Sequence, residues 1–198
     1  MQATIQREAT GNSGNACGRA RTLTLITPIR PFFVPFIRFV MRTSKRLPFV
    51  EKDSLKFNFI YFVRWALIPN LAYNGPPQKQ DRMRYTYMYF QSNFDTPWKQ
   101  YIDAFAYVIP HDIAGLWGRG FDFPNPPPAE PLKRWIARNS MEGGHYYSAY
   151  PHASVKMILE GLRVKERLAE LAEQAERLTP LEFQAAYRRF LTQSQNDL

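Results

Sequence analysis

Residues 57–65 read Phe57-Asn58-Phe59-Ile60-Tyr61-Phe62-Val63-Arg64-Trp65, and residues 85–90 read Tyr85-Thr86-Tyr87-Met88-Tyr89-Phe90. Aromatic and β-branched side chains dominate both runs, the composition that fits a pleated, packed surface. They predict one strand over 57–68 and another over 84–92, paired antiparallel across a loop at 70–79 that holds Asn74-Gly75-Pro76-Pro77. Alternate residues of the first strand put Phe57, Phe59, Tyr61, Val63 and Trp65 on one face and Asn58, Ile60, Phe62, Arg64 and Ala66 on the other. In the second, Tyr85, Tyr87 and Tyr89 oppose Thr86, Met88 and Phe90. An antiparallel sheet with helices on one side normally alternates apolar inward and polar outward. Here both faces are aromatic, so the face that helices leave bare needs a cover of its own.

Three covers differ in class. A second copy of the sheet makes a face-to-face homo-oligomer with room for a ligand between the copies. Single-stranded RNA is the weakest of the three: residues 82–90 lack the glycines of the RNA-recognition signature, and the first strand of the sheet offers no aromatic. A different protein, or an anionic surface, is the third.

Working outward, Arg21 to Pro28 predicts a first strand, and Pro35 to Leu47 a helix with proline at its first turn. Thr96-Pro97 predicts a capped helix to Ile109, with a short helical piece following to Trp117. Further helices are expected over 130–139 and 154–178, and a last strand over His145–Tyr150. The capping box Thr179-Pro180-Leu181-Glu182 opens a final helix to about Thr192. The order is β-α-β-β-α-β followed by helices, the ferredoxin-like arrangement of the α+β class. The expected division is a flexible basic tail at 1–20, the α+β domain at 21–153 and a helical extension at 154–198.

The 198 residues carry 26 Lys and Arg against 17 Asp and Glu, a net charge of +9, with 45 % apolar and 15 % aromatic residues. That excludes a disordered acidic chain, and the single cysteine, Cys17, excludes a disulfide scaffold. The basicity is local: residues 1–50 hold eight cations and one anion, whereas residues 151–198 hold seven of each. Arg38, Arg42, Lys45 and Arg46 form one stripe of the first helix, suited to phosphates, acidic lipid or an acidic partner. No run predicts a membrane-spanning helix, since the longest charge-free stretch is 14 residues and contains Pro69, Pro76 and Pro77. With no apolar core for a secretory signal, the expected location is the cytoplasm, although an Arg-containing, acid-poor leader also suits a transit peptide.

Four segments together resemble a known group: Leu23-Thr24-Leu25-Ile26-Thr27-Pro28-Ile29-Arg30-Pro31, Phe62-Val63-Arg64-Trp65, Gln91-Ser92-Asn93-Phe94-Asp95 with Trp98 and Tyr101, and Tyr147-Ser148-Ala149-Tyr150-Pro151. The pattern, spread over residues 21–165, is similar to uncharacterised bacterial proteins of the dimeric α/β-barrel superfamily. That resemblance implies two sheets packed face to face. It also implies oxidoreductase-type activity such as that of cofactor-free monooxygenases and haem-binding enzymes, without selecting one reaction. The position where the group's pattern leads us to expect a histidine holds Tyr61 here.

No His-x-x-x-His or Cys-x-x-Cys spacing is present, so no metal site is expected. Haem needs one axial ligand, and His145, after Gly143-Gly144, is the candidate. For catalysis, His145, Tyr147 or Asp103 can move a proton while Arg64 or Asn93 holds an enolate or carboxylate. Arg64 stands out because a cation in an apolar strand needs an anion, either a ligand's or that of Asp95. Tyr61, Trp65, Tyr87, Tyr89, Asn93 and Trp117 are the expected lining of a pocket for a hydrophobic small molecule.

Overall fold

The computed structural model describes residues 14–44, 57–125, 128–195 and 197. They fall into two compact units, Met1–His152 and Ala153–Leu198. The first is α+β, built on a five-stranded antiparallel open sheet. Its elements are β1 (Ala16–Cys17), β2 (Ala20–Ile29), a 3-10 turn (Pro31–Phe33), α1 (Val34–Ser44), β3 (Ile60–Ile68), β4 (Thr86–Phe94), α2 (Trp98–Val108), α3 (Pro110–Trp117), α4 (Ala129–Asn139) and β5 (Ser140–Met141). β2, β4 and β3 lie side by side in that order, and β1 and β5 share the free edge of β2.

β4 sits in the middle, pairing with β2 along one side and β3 along the other. Met88, Phe90, Ser92 and Phe94 are buried on one face, and their partners on β2 (Thr27, Leu25, Leu23) and β3 (Leu67, Trp65, Val63) share it. Trp98, Tyr101, Ile102 and Phe105 of α2, Ile113 and Trp117 of α3, and Leu132, Trp135 and Ile136 of α4 close over that face as a single core. Tyr101 is at its centre, stacked on Phe94 with ring centroids 3.8 Å apart and edge-on to Phe105 at 4.5 Å. The core is filled: a void of about 10 Å³ between Leu25, Phe90, Trp117 and Trp135 has room for one water at most.

Several boundaries differ from the sequence reading. β4 runs two residues further, to Phe94, because Asn93 and Phe94 continue the pairing with Thr22 and Arg21. α2 starts at Trp98 with Pro97 at its cap, and the Thr96 hydroxyl bonds Gln100 instead of capping the helix. Residues 145–150 are not a strand. β5 ends at Met141 because the edge of β2 beyond Leu23 is already occupied: the Thr22 amide donates to the Asn15 carbonyl at 2.9 Å. The Asn15 side chain then turns the chain away, accepting from the Gly143 amide at 2.6 Å. Residues 16 and 17, expected in a tail, form β1. Gly18 makes its turn at φ +62°, where a Cβ would lie 2.4 Å from the Pro151 carbonyl oxygen, so only glycine fits.

The second unit is a helical pair, α5 (Val155–Ala175) and α6 (Pro180–Ser194). Ser154 caps α5, and the full capping box of Thr179 and Glu182 opens α6. Both hydrogen bonds to Thr179 hold the exposed Glu182 carboxyl below its ordinary pKa. Asp197 ties the pair together, accepting from Arg163 at 3.0 Å and from Arg167 at 2.6 Å.

Candidate binding surface

Pairing across the sheet defines the face opposite the core in rows. Thr22, Asn93 and Phe62 make the first row; Thr24, Gln91 and Arg64 the second; Ile26, Tyr89 and Ala66 the third; Pro28, Tyr87 and Ile68 the fourth. The helices of the core cluster all pack on the other face. The rows grade from polar to apolar. In the second, Arg64 is exposed and has no ion-pair partner among the described residues. Gln91 beside it accepts from the Tyr89 hydroxyl at 2.7 Å, leaving its amide N–H groups to donate alongside the guanidinium.

At the polar end the chain after β5 comes back over the sheet. Asn93 Nδ2 donates to the Tyr146 hydroxyl at 2.8 Å, while the buried Asn93 Oδ1 has no partner among the described residues. Burial raises the Tyr146 phenol above its ordinary pKa, and the bond from Asn93 opposes part of that rise. Tyr61 is raised as well, first by burial and then by the negative charge of Asp95. A register shift between Ile60 and Phe62 explains its position: the bulge takes Tyr61 out of alternation with Val63 and Trp65.

The predicted site residues therefore separate. Arg64, Tyr87, Tyr89 and Asn93 share the face opposite the core, with Tyr61 near its polar end. Trp65 and Trp117 belong to the core side, both packed on Phe90 with centroids 5.4 and 5.0 Å away. His145 and Tyr147 are exposed in the loop after β5, and it is Tyr146 between them that reaches the sheet. Asp103 is held at 2.7 Å by Lys133, a pairing between α2 and α4; hydrogen bonding to Asp103 raises the lysine's pKa. Arg38 and Arg42 are exposed on α1, whereas Lys45 and Arg46 lie outside the described residues. Among the described residues, no three His, Cys, Asp or Glu gather as a metal site would require. Among the same residues, no helix is long and apolar enough to cross a membrane.

Tyr146 was not singled out by the sequence. Its signal is faint: one tyrosine of three near a glycine pair, with nothing in an irregular loop to say which points inward.

Comparison with known proteins returns no match: no family model, curated protein or solved structure is similar to this chain.

Proposed function

We propose that this chain is a self-associating binding module. Two copies pack their free sheet faces together as a dimeric α/β barrel, and a hydrophobic or aromatic small molecule bearing an anionic group sits between them. The observation that carries this reading is the graded face itself. Two apolar rows, Ile26–Tyr89–Ala66 and Pro28–Tyr87–Ile68, adjoin a row that ends in the exposed guanidinium of Arg64. Apolar surface of that kind gains by being covered. A cation covered along with it needs an anion, and a ligand carboxylate or enolate supplies one.

The strand order supports the same architecture. β5, β2, β4 and β3 are neighbours in that sequence and all antiparallel, the order a ferredoxin-like sheet requires of its fourth, first, third and second strands. Binding is favoured over catalysis because His111, His145 and His152 are all exposed and no hydrogen bond joins any of them to a nucleophile among the described residues. The oxidoreductase-type activity implied by the resemblance would place its chemistry in the same interface, with Arg64 holding the anion.

Native mass spectrometry at micromolar protein tests the association: a dimer is expected, reduced to monomer by Tyr89→Glu with the fold retained by circular dichroism. A strictly monomeric wild type overturns the reading. For the anion, 8-anilinonaphthalene-1-sulfonate is a suitable aromatic probe. Arg64→Gln should weaken its binding about tenfold, the loss of one charge-assisted contact.

A further inference from the structure

A second apolar surface lies away from the sheet face. Phe32, in the 3-10 turn, and Phe36 and Phe39 of α1 follow one another at spacings of four and three, the repeat that places side chains on one side of a helix. They are 85 %, 48 % and 64 % exposed. Their outward orientation is fixed, because Ile37 on the other side of the helix is 1 % exposed in the core, with Val34 and Met41 packed against the same cluster. Arg38 and Arg42, both exposed, stand one turn apart on α1. At the start of the helix the Arg119 guanidinium lies over the Phe33 ring, 5.0 Å from its centroid, adding a third cation.

The surrounding sequence contains no opposing charge. Between Glu8 and Glu51 there are 42 residues with seven cations and no anion. Phenylalanine offers no hydrogen-bonding atom, so three exposed rings gain only where they leave water. An acidic peptide would satisfy the arginines without requiring the rings. The boundary between lipid headgroups and acyl chains accommodates both, with apolar side chains sunk below the headgroups and cations level with the phosphates.

We propose that α1 and the 3-10 turn before it form an interfacial docking surface for an anionic lipid bilayer, with Phe32, Phe36 and Phe39 inserted and Arg38, Arg42 and Arg119 at the headgroups. The helix lies in the plane of the membrane. Its 11 residues span about 16 Å at roughly 1.5 Å per residue, about half of a hydrocarbon core.

Co-sedimentation of the full chain with vesicles tests this, using phosphatidylcholine alone and a 7:3 mixture of phosphatidylcholine and phosphatidylglycerol. Binding is expected to the mixed vesicles and to fall steeply as salt rises. Arg38→Gln with Arg42→Gln should weaken it about thirtyfold, from roughly fivefold per arginine near an anionic surface. Phe36→Ser with Phe39→Ser should weaken it at least tenfold while circular dichroism stays unchanged. Phe39→Ala, the milder change, should give a smaller loss in the same direction. Equal partition to the two vesicle types overturns the proposal, as does undiminished binding by the phenylalanine variants. Tighter binding to a single-stranded RNA 20-mer than to the mixed vesicles overturns it in favour of nucleic acid.

Discussion

Ser92 and Asn93 are adjacent on β4 and point to opposite faces of one sheet, and each meets a tyrosine hydroxyl. Ser92 accepts from Tyr101 at 2.6 Å inside a closed box of Phe94, Phe105 and Phe59. Asn93 donates to Tyr146 at 2.8 Å from a loop, and its other polar atom is left over. The same strand thus makes a finished contact on one side and an unfinished one on the other. The difference separates what holds the fold from what the fold presents. Helices bring rigid, complementary rings to the first face, whereas the second has rows of side chains and one loop residue at its polar end.

The largest test of that division compares Phe90 with Tyr89. Phe90→Ala empties a site packed by Trp65 and Trp117, and should cost about 3–5 kcal/mol in urea denaturation. Tyr89→Ala, measured at a dilution where the chain is monomeric, should cost less than about 1 kcal/mol, the range of substitutions outside a core. Similar losses at the two positions would break the comparison, because both faces would then be core.

Tyr101→Phe is the next largest. It keeps the stacked ring and leaves the buried Ser92 hydroxyl without its donor, at a cost of about 1–3 kcal/mol. Its pH dependence is distinctive. Burial raises the Tyr101 phenol far above the value of about 10 for a free tyrosine, so the folded state retains a proton that the unfolded state loses. The contribution is complete below about pH 10 and falls away above it, by up to about 1.4 kcal/mol per pH unit. Phenylalanine cannot ionise in either state. The variant should therefore be less stable at pH 7 yet lose stability more slowly from pH 10 to 11. Parallel alkaline profiles for the two proteins would show that this ring is not closed off from water.

Much of this division is legible in the sequence, and the rest is hidden for physical reasons. Aromatic and β-branched content gives β3 and β4, and helical spacing gives α2. The capping box of Thr179 and Glu182 marks its helix because both partners are local. β1 and β5 are two residues each and carry no period; they exist because β2 has a free edge, which is a tertiary fact. Which face Tyr61 joins depends on the bulge at Ile60–Phe62, since the inserted residue breaks the alternation that would group it with Val63 and Trp65. Trp117 reads equally well as pocket lining or core until α3 is laid against Phe90.

The smallest expected effect lies at the polar end of the free face. Tyr146→Phe removes the acceptor for Asn93 Nδ2, and Asn93 Oδ1 is already unpaired, so both ends of a buried amide are then without a partner among the described residues. A contact made by a part-exposed loop should be worth about 1 kcal/mol, below the loss at Tyr101 because water can reach the vacated position. Ala at position 93 with Phe at 146 separates the two contributions. If the tyrosine matters only through this bond, Tyr146→Phe adds nothing further in an Asn93→Ala background. If the two losses simply add, Tyr146 is held by something other than Asn93, and the neighbouring Ser92–Tyr101 and Asn93–Tyr146 contacts are no longer counterparts.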